Sequence, residues 1–522
     1  MTVNSFNLLD EKWIKVVDHG LVSLTDIFQN RDYENLGGDV LEKLSVFKFL
    51  LAVSQAAYTP NDFNDWNNYS TEALSNTVLE YLRKNHDLFY LYGDKPFLQF
   101  PQIEFLGKKE LKSYSTILSY EASGNTTVRT QIEAKHIPST DEIARLLLIQ
   151  MNFAFGGKQV DNGIVLSKSY KGKSKSGKVG TGLSYFGYLH SYFSGKYLMD
   201  TIRINLLSYQ DIASTNMFSS GVGIAPWEKM PTGEDDDIAN EYKNSLMGRL
   251  ISLGRFCLLK NNGLYLTEGI SYADHTSAQC DPAITVIKKK NKINAIWTNP
   301  EKKSWREIIS LLSFVSNNSD NSSICYQLKL CDEKVRTYRT PVGLWTLGIK
   351  VSSNSGEFKV SGRDDSVESR IEFENINEIL NEIWFTRYSR EISALEKTAI
   401  NLLKSVEGYF SRSNDEEKNV DSESKKKKKE KNSGKRTEKN DIAKKCLFRF
   451  WDNCEPLAKE LQEACIDCSE ETGNDRIKNI RKKFANLAKQ CYDEFCPCLT
   501  SRQIQNWAEN RIHTAKYERM ED

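Results

Sequence analysis

The stretch Pro138–Gly182, PSTDEIARLLLIQMNFAFGGKQVDNGIVLSKSYKGKSKSGKVGTG, joins a well-marked helix to a loop rich in glycine and lysine. Ser139 stands at an N-cap position and Glu142 lies three residues on, the spacing of a capping box. Ile143, Leu146, Leu147, Met151 and Ala154 recur at helical intervals and give one broad apolar face. Gly156 and Gly157 are expected to stop the helix, since glycine tolerates left-handed and strained dihedrals. Between Lys158 and Lys178 six lysines face a single acid, Asp161, with glycines at 163, 172 and 177. A buried helix thus delivers a cationic strip to the surface, and a phosphate-rich partner is the natural match.

The chain has 522 residues, enough for two or three units. Hydrophobic residues make up 39%, which supplies a real core. Lys plus Arg (71) nearly balances Asp plus Glu (70), so nucleic-acid binding has to be argued from clustering instead of net charge. Eleven irregularly spaced cysteines, with no signal peptide before Phe6-Asn7-Leu8-Leu9, suit a reduced cytoplasmic chain. No apolar run approaches the roughly 20 residues that span a bilayer.

Along the chain, 7–17 reads as a short strand, followed by a turn at His19-Gly20 and a second strand. Residues 41–57 form a core helix and 70–83 another, while Pro96–Pro101 is extended. Residues 244–259 read as a further helix closed by the turn Lys260–Gly263. Residues 265–270 and 283–297 read as strands, with Lys288–Lys292 as a hairpin tip. From 334 to 360 the pattern is β-like, broken by a small polar loop at Ser352–Gly356. From 376 to 410 runs one long amphipathic helix. Residues 411–440, with five lysines at 425–429, are low in complexity and expected to be a disordered, solubilising insert. Helical stretches follow at 440–467, 474–495 and 499–518. The fold class is therefore α+β: a large mixed domain over 1–370, then a C-terminal four-helix bundle over 371–522 that carries the insert at about 411–440.

Enzyme motifs find little support. Gly172–Lys178 fits G-x-x-x-x-G-K, but Val179 stands where the magnesium-binding hydroxyl belongs, so a P-loop-like enzyme acting on nucleic acid is the alternative and not the first reading. Cys465/Cys468 and Cys496/Cys498 have short zinc-like spacings, yet they fall in or beside helices, where small core residues are the plainer account. His136 and His275 read as surface histidines. Three features point to nucleic acid: the lysine loop at 158–178, the tip at 288–292, and the small polar loops near Lys260 and Asn354. Each cluster alone is also compatible with a solvated face.

Several segments together resemble the CasA family, the large subunit of the type I-E CRISPR surveillance complex Cascade. These are Phe6–Ile14, Gly93–Gln99, Ser139–Gly157 and Trp345-Thr346-Leu347-Gly348, with the C-terminal bundle completing the likeness. The residues themselves lead us to expect no metal or other cofactor, and the resemblance implies a subunit that is not a catalyst. It implies that the subunit reads the short motif beside the target (the PAM) from the minor groove, helps to open the duplex, holds the displaced strand and recruits a helicase-nuclease. Its implied partners are the other Cascade subunits, the crRNA they carry and double-stranded target DNA.

Carried over by position, the family's glycine loop falls on Gly156 and Gly157. Its lysine finger falls on the turn at 260–263, where Asn262 occupies the lysine's own place and Lys260 lies two residues earlier. Its wedge falls on Ser353, Asn354, Ser355 and Gly356, without the family's glutamine. The family's early loop near the PAM would lie around Thr126–Ile132. Lys171, Lys173, Lys175 and Lys178, with Lys288, Lys289 and Lys290, are the expected contacts to DNA backbone. A protein-only scaffold working through the helical bundle is the third reading.

Replacing Lys171, Lys173, Lys175 and Lys178 together by alanine is expected to weaken DNA binding and to lower the slope of log affinity against log salt by up to about four, one per phosphate contact. Flanking-sequence preference should stay as it is. A shift in preference, measured over a series of salt concentrations, would contradict the backbone assignment.

Overall fold

The computed structural model describes residues 4–106, 111–114, 138–153, 166–167, 187–272, 281–289, 292–316, 323–339, 341–354, 357–360, 366–412, 441–466 and 470–519. The chain divides into two compact units, one of residues 1–300, 310–314 and 318–376, the other of 301–309, 315–317 and 377–522. Mixed helix and strand in the first and helices in the second make the α+β class.

The first unit is organised around the helix Val40–Ala57. Asp39 caps it: the Glu42 N–H donates to Asp39 Oδ1 (2.9 Å) and Glu42 answers toward the Asp39 N–H. Fourteen of its eighteen residues are buried. Such a helix has no solvent face, so a charge it carries must find a partner inside. It packs on the helices Thr71–Lys84, Thr140–Asn152 and Leu198–Ile204 and on the strand Val342–Ile349. That strand is buried along its whole length and lies between His190–Ser194 and Ser366–Phe373, both antiparallel to it. Phe47 meets the sheet edge-on, at 4.8 Å from Tyr192 and 5.1 Å from Trp345 between ring centroids. Gly348 leaves room for close neighbours, since a Cβ there would lie 2.1 Å from Thr298 Oγ1 and 2.7 Å from Tyr188 O.

Helix Thr140–Asn152 begins where the sequence placed it, with the Glu142 carboxylate accepting from Ser139 N (2.9 Å) and Ser139 Oγ (3.2 Å). Two expectations for it change. It is buried on every side from Ile143 to Asn152, because Arg145 is neutralised by Glu42 and Asp141, each at 3.0 Å. It also ends at Asn152, ahead of the glycines: the Gly254 N–H (2.6 Å) and Ser252 Oγ (3.0 Å) take the Met151 carbonyl. Ala154, Gly156 and Gly157 lie outside the described residues.

The helix expected at 244–259 is confined to Leu246–Leu250. Leu253 adopts a left-handed φ of 45°, and Gly254 packs so closely on Gly269 that a Cβ at 269 would meet the Gly254 carbonyl at 2.1 Å. The apolar run Cys257–Lys260 then forms a strand with Gly263–Leu266. The strand expected over 265–270 is thus Gly263–Leu266, and Lys334 sits in the short helix Asp332–Val335, outside any strand.

The helix expected over 376–410 is broken into Ile376–Ile379 and Glu382–Arg412, because Asn381 Oδ1 accepts from Ile383 N (2.8 Å) and starts the helix afresh. Helices at 441–454, Ala458–Ile466, Glu470–Phe495 and Ser501–Asn510 follow, and Ala515–Glu518 is a separate turn. Arg481 lies buried against Glu391 in a two-armed pair (2.6 and 3.0 Å) and donates a third bond to Tyr517 O (2.9 Å). Residues 413–440 lie outside the described residues.

The first unit also encloses a charged cluster. Lys48 is bonded to Asp281, and both are almost wholly buried. His190 is fully buried beside them; its Nδ1–H donates to Tyr188 O (3.0 Å) and its Nε2 lies 3.9 Å from Asp281. Burial holds the imidazole neutral, down to about 4 from the usual 6.5. Between pH 6.5 and about 4 the unfolded chain then binds a proton at this residue that the folded chain does not, so stability is lost as the pH is lowered across that window. We expect the urea midpoint to drop from pH 6.5 to 4.5, the histidine contributing at most about 1.4 kcal/mol per pH unit. His190→Asn, which retains a donor toward Tyr188 O, should flatten the dependence; equal slopes for both proteins would contradict this.

Candidate nucleic-acid interface

Three β-hairpins in the first unit carry those sequence-predicted contact residues that are described, and they belong to three different sheets. The first pairs Cys257–Lys260 with Gly263–Leu266, ending in the register Lys260↔Gly263. Only Asn261 and Asn262 remain for the tip, and both are exposed. The hairpin is braced on two sides. Along one edge Lys112 and Leu264 exchange backbone bonds of 2.9 Å each way, and Tyr114 OH donates to Lys260 O (2.7 Å). On the other side Phe100 N donates to Cys257 O (2.9 Å), and Gln99 bridges Leu91 O (2.7 Å) and Leu259 N (2.9 Å).

Lys260 is therefore the last residue of a strand, where a turn position was expected. Its ammonium lies 2.6 Å from Glu104 Oε1, with both side chains partly exposed. An ion pair this wet contributes only about 0–1 kcal/mol, so a phosphate can displace the carboxylate. Asn262, on the tip itself, offers a neutral donor and acceptor that can address the edge of a base.

The second hairpin pairs Thr285–Lys289 with Lys292–Ala295, and Ser323–Cys325 completes its sheet. Val286, Ala295, Ile284 and Tyr188 form the packed side. Lys288 and Lys292 are exposed, and Lys289 pairs with Lys292 at the end of the ladder. Lys290 lies outside the described residues. The lysines thus gather at one end of a ribbon whose other end is anchored in apolar packing.

The third hairpin pairs Val351–Asn354 with Glu357–Val360. The polar loop expected over 352–356 is thus strand through Ser352, Ser353 and Asn354, because their backbone groups pair with Lys359, Phe358 and Glu357. Ser355 and Gly356, between Asn354 and Glu357, lie outside the described residues. Only Lys350 separates this hairpin from the strand Val342–Ile349, so the ribbon continues directly from a strand buried along its whole length.

Gly156, Gly157, Lys171, Lys173, Lys175 and Lys178, with the 126–132 segment, also lie outside the described residues. Gln99, Glu104, Lys112 and Tyr114 shape the first hairpin yet were not singled out individually from the sequence. Glu104 has no local signal, since 156 residues separate it from Lys260. Cys465 and Cys496 are buried, which pushes both thiols up to about 12, while Cys498 is exposed and Cys468 is outside the description. Among the described residues no group of three or more His, Cys, Asp or Glu side chains is placed to hold a metal ion, and no helix is long and apolar enough to cross a membrane.

A scan against protein-family models matches residues 7–491 to the CRISPR-associated protein Cse1 family. The chain belongs to that family. A curated relative, CRISPR-associated protein CasA/Cse1 of Thermus thermophilus, is 27% identical over 221 residues, and the match spans 40% of this chain and 41% of the relative's length. Among solved structures, Cse1 of Thermobifida fusca is 17% identical with a TM-score of 0.70 and covers 99% of both chains. A chain of a structure described as a CRISPR RNA-guided surveillance complex is 13% identical with a TM-score of 0.68, covering 98% of this chain and 99% of that one. At these identities the structural likeness establishes the Cse1 fold.

The bracing of the first hairpin is directly testable. A Cβ at Gly263 would lie 2.1 Å from Lys112 O, a backbone atom that cannot swing aside. Gly263→Ala should therefore destabilise by about 1–3 kcal/mol, as overpacking does. It should also speed tryptic cleavage after Lys260. An unchanged urea midpoint and cleavage rate would show that Lys112 does not hold the hairpin.

Proposed function

We propose that this protein is the large, non-catalytic subunit of a type I-E crRNA-guided antiviral complex, and that it reads the PAM of double-stranded target DNA. In this reading it sits in the cytoplasm with the other Cascade subunits and their crRNA, promotes opening of the duplex, holds the displaced strand and recruits the helicase-nuclease. The match to the Cse1 family over residues 7–491 carries the proposal. The likeness to a chain of an RNA-guided surveillance complex supports it.

The three hairpins suit such work. A PAM reader has to present a few polar groups to a groove whose code is degenerate, on supports stiff enough to survive contact with DNA. Asn262 and Lys260 stand at the end of a hairpin braced on both sides. Asn354 and its neighbours stand at the end of a ribbon projecting from a buried strand, which is the stiffness a wedge needs to separate base pairs at a cost of a few kcal/mol per step. Lys288 and its neighbours offer sequence-independent attraction to phosphate. Gly156 and Gly157 would let backbone approach the duplex without a side chain between. Guide pairing then reads the long sequence, while the protein reads only the short flank.

The test is target binding by the guide-loaded complex, with and without this subunit, over a library randomised at the positions flanking the target. The subunit should create a flank preference, each disfavoured pair costing about 1–3 kcal/mol. Lys260→Ala, Asn262→Ala, Asn354→Ala or Ser355→Ala should alter that preference. Binding indifferent to both flank and subunit would contradict PAM reading and favour a protein-only scaffold.

A further inference from the structure

One large apolar side chain at the end of the first hairpin contributes almost nothing to packing. Phe105 is 87% exposed, whereas the other exposed large apolar side chains described in the first unit lie between 36% and 53%. A phenylalanine left this far in water forgoes the gain of burying one of the largest apolar side chains. Single exposed apolar residues are common on proteins, so exposure alone assigns no role. The support beneath Phe105 and the groups beside it do.

Phe105 closes the 3-10 turn Pro101–Phe105, which packs along the strand Cys257–Lys260. The turn is held at both ends. At its start the Phe100 ring lies 4.1 Å from that of Phe256, and Phe100 N donates to Cys257 O (2.9 Å). In its middle Ile103 is fully buried, and Ile103 O accepts from Leu106 N (3.1 Å). Near its end Glu104 reaches the Lys260 ammonium (2.6 Å). These ties set a direction. Five residues of 3-10 turn advance about 10 Å, which matches the about 10 Å from Cys257 to Lys260 along the strand. Turn and strand therefore run side by side to the same level. Phe105, next after Glu104, stands beside the tip that bears Asn261 and Asn262. Leu111, 41% exposed, flanks the tip from the other edge, its Cγ 3.3 Å from where a Cβ on Gly263 would lie.

The groups gathered at this end are an aromatic ring open to solvent, an ammonium and two primary amides. Together they suit a nucleotide. Its base offers a π face for the ring and polar edges for the amides, and its phosphate offers a charge for the ammonium. The apolar core of a protein partner would need a wider apolar surface than one ring and Leu111.

We propose that Phe105 is a base-stacking residue: its ring takes the face of a nucleobase that leaves the duplex stack where the flank of the target opens. The proposal rests on the flank-reading role given above and adds the group that holds a base once it is out of the helix. An unstacked base has lost the π contacts of its neighbours, and a ring held in place restores one of them without reading sequence. Opening of the duplex is then offset in part at the same hairpin that reads the flank.

The test uses the full-length subunit in its guide-loaded complex, with target DNA carrying 5-iodouracil in turn at each flanking position of either strand. On irradiation 5-iodouracil joins an aromatic ring stacked on it, so at least one position should crosslink to Phe105, identified by the mass of the joined peptide. Phe105→Ala should bind target about tenfold more weakly. Its salt slope should match wild type, whereas Lys260→Ala lowers the slope by about one. The urea midpoint should not move, since so exposed a ring adds no packing. Phe105→Trp should stay within about threefold of wild type, and Phe105→Leu should resemble alanine, because it keeps apolar surface and loses the π face. A leucine variant that binds as wild type, or a ring that crosslinks to no flanking base, overturns the stack. So does an alanine variant that fails to join the complex before target is added, since Phe105 would then be a subunit contact. Asn262→Ala separates the two readings. If it alters flank preference while Phe105→Ala binds as wild type, the stack alone fails; if neither variant changes binding or preference, the flank-reading role fails with it.

Discussion

The pairing of Lys48 with Asp281 is the interaction on which the first unit most depends. A helix buried on every side has placed an ammonium in the core, where transferring an ion from water costs several kcal/mol. Only a matched charge makes that position tenable, and Asp281 supplies it across 233 residues of sequence. Burial still draws the lysine down from its usual range, with Asp281 opposing the shift. His190, on the central sheet, and Phe153, whose ring lies under the Lys48 ammonium, close the cluster. Phe153 leads into the glycine loop, and Asp281 opens the run into the lysine-tipped hairpin. One buried pair thus ties the central helix to the roots of two of the segments proposed to meet DNA.

The helices that local chemistry specifies were legible. Ser70 and Ser139 mark helix starts in the sequence, and each occupies its cap position in the fold. Two of the failures come from tertiary competition for backbone groups, and one from a local side-chain cap. Met151 O is claimed by the 252–254 segment, which ends one helix early, and the same segment bends away from the helix expected over 244–259. Asn381 starts a helix in the middle of an apolar repeat that suggested one continuous rod. The partners that end the first two helices are about a hundred residues apart, so no window on the chain contains both.

The resemblance to the family rests on residues that turn out to be scaffold. Trp13 is fully buried with its indole N–H on Leu8 O, Phe97 packs in an aromatic cluster with Phe49, Phe89 and Trp227, and Trp345 and Gly348 lie in the central strand. Gln99 is the exception that reaches toward the proposed site, because it carries the bond that braces Leu259. The motifs therefore reported the fold directly and the contact residues only by position. Glu104 beside Lys260 stayed hidden because the pair is separated by 156 residues of sequence. Asn354 was read as loop because Ser, Asn and Gly favour turns, while the pairing that makes it strand depends on Glu357 beyond the turn.

The hairpin tips are proposed to face duplex DNA beside the guide-paired target. The most direct measurement is site-specific photocrosslinking from a benzoylphenylalanine placed at Asn262 or at Asn354, in the guide-loaded complex with labelled target, with exposed Ile504 of the helical unit as the control position. Crosslinks are expected from 262 and 354 to nucleotides of the flanking duplex, and none from 504. Crosslinks from 262 and 354 that reach only protein subunits, with flanking DNA unlabelled, would contradict it.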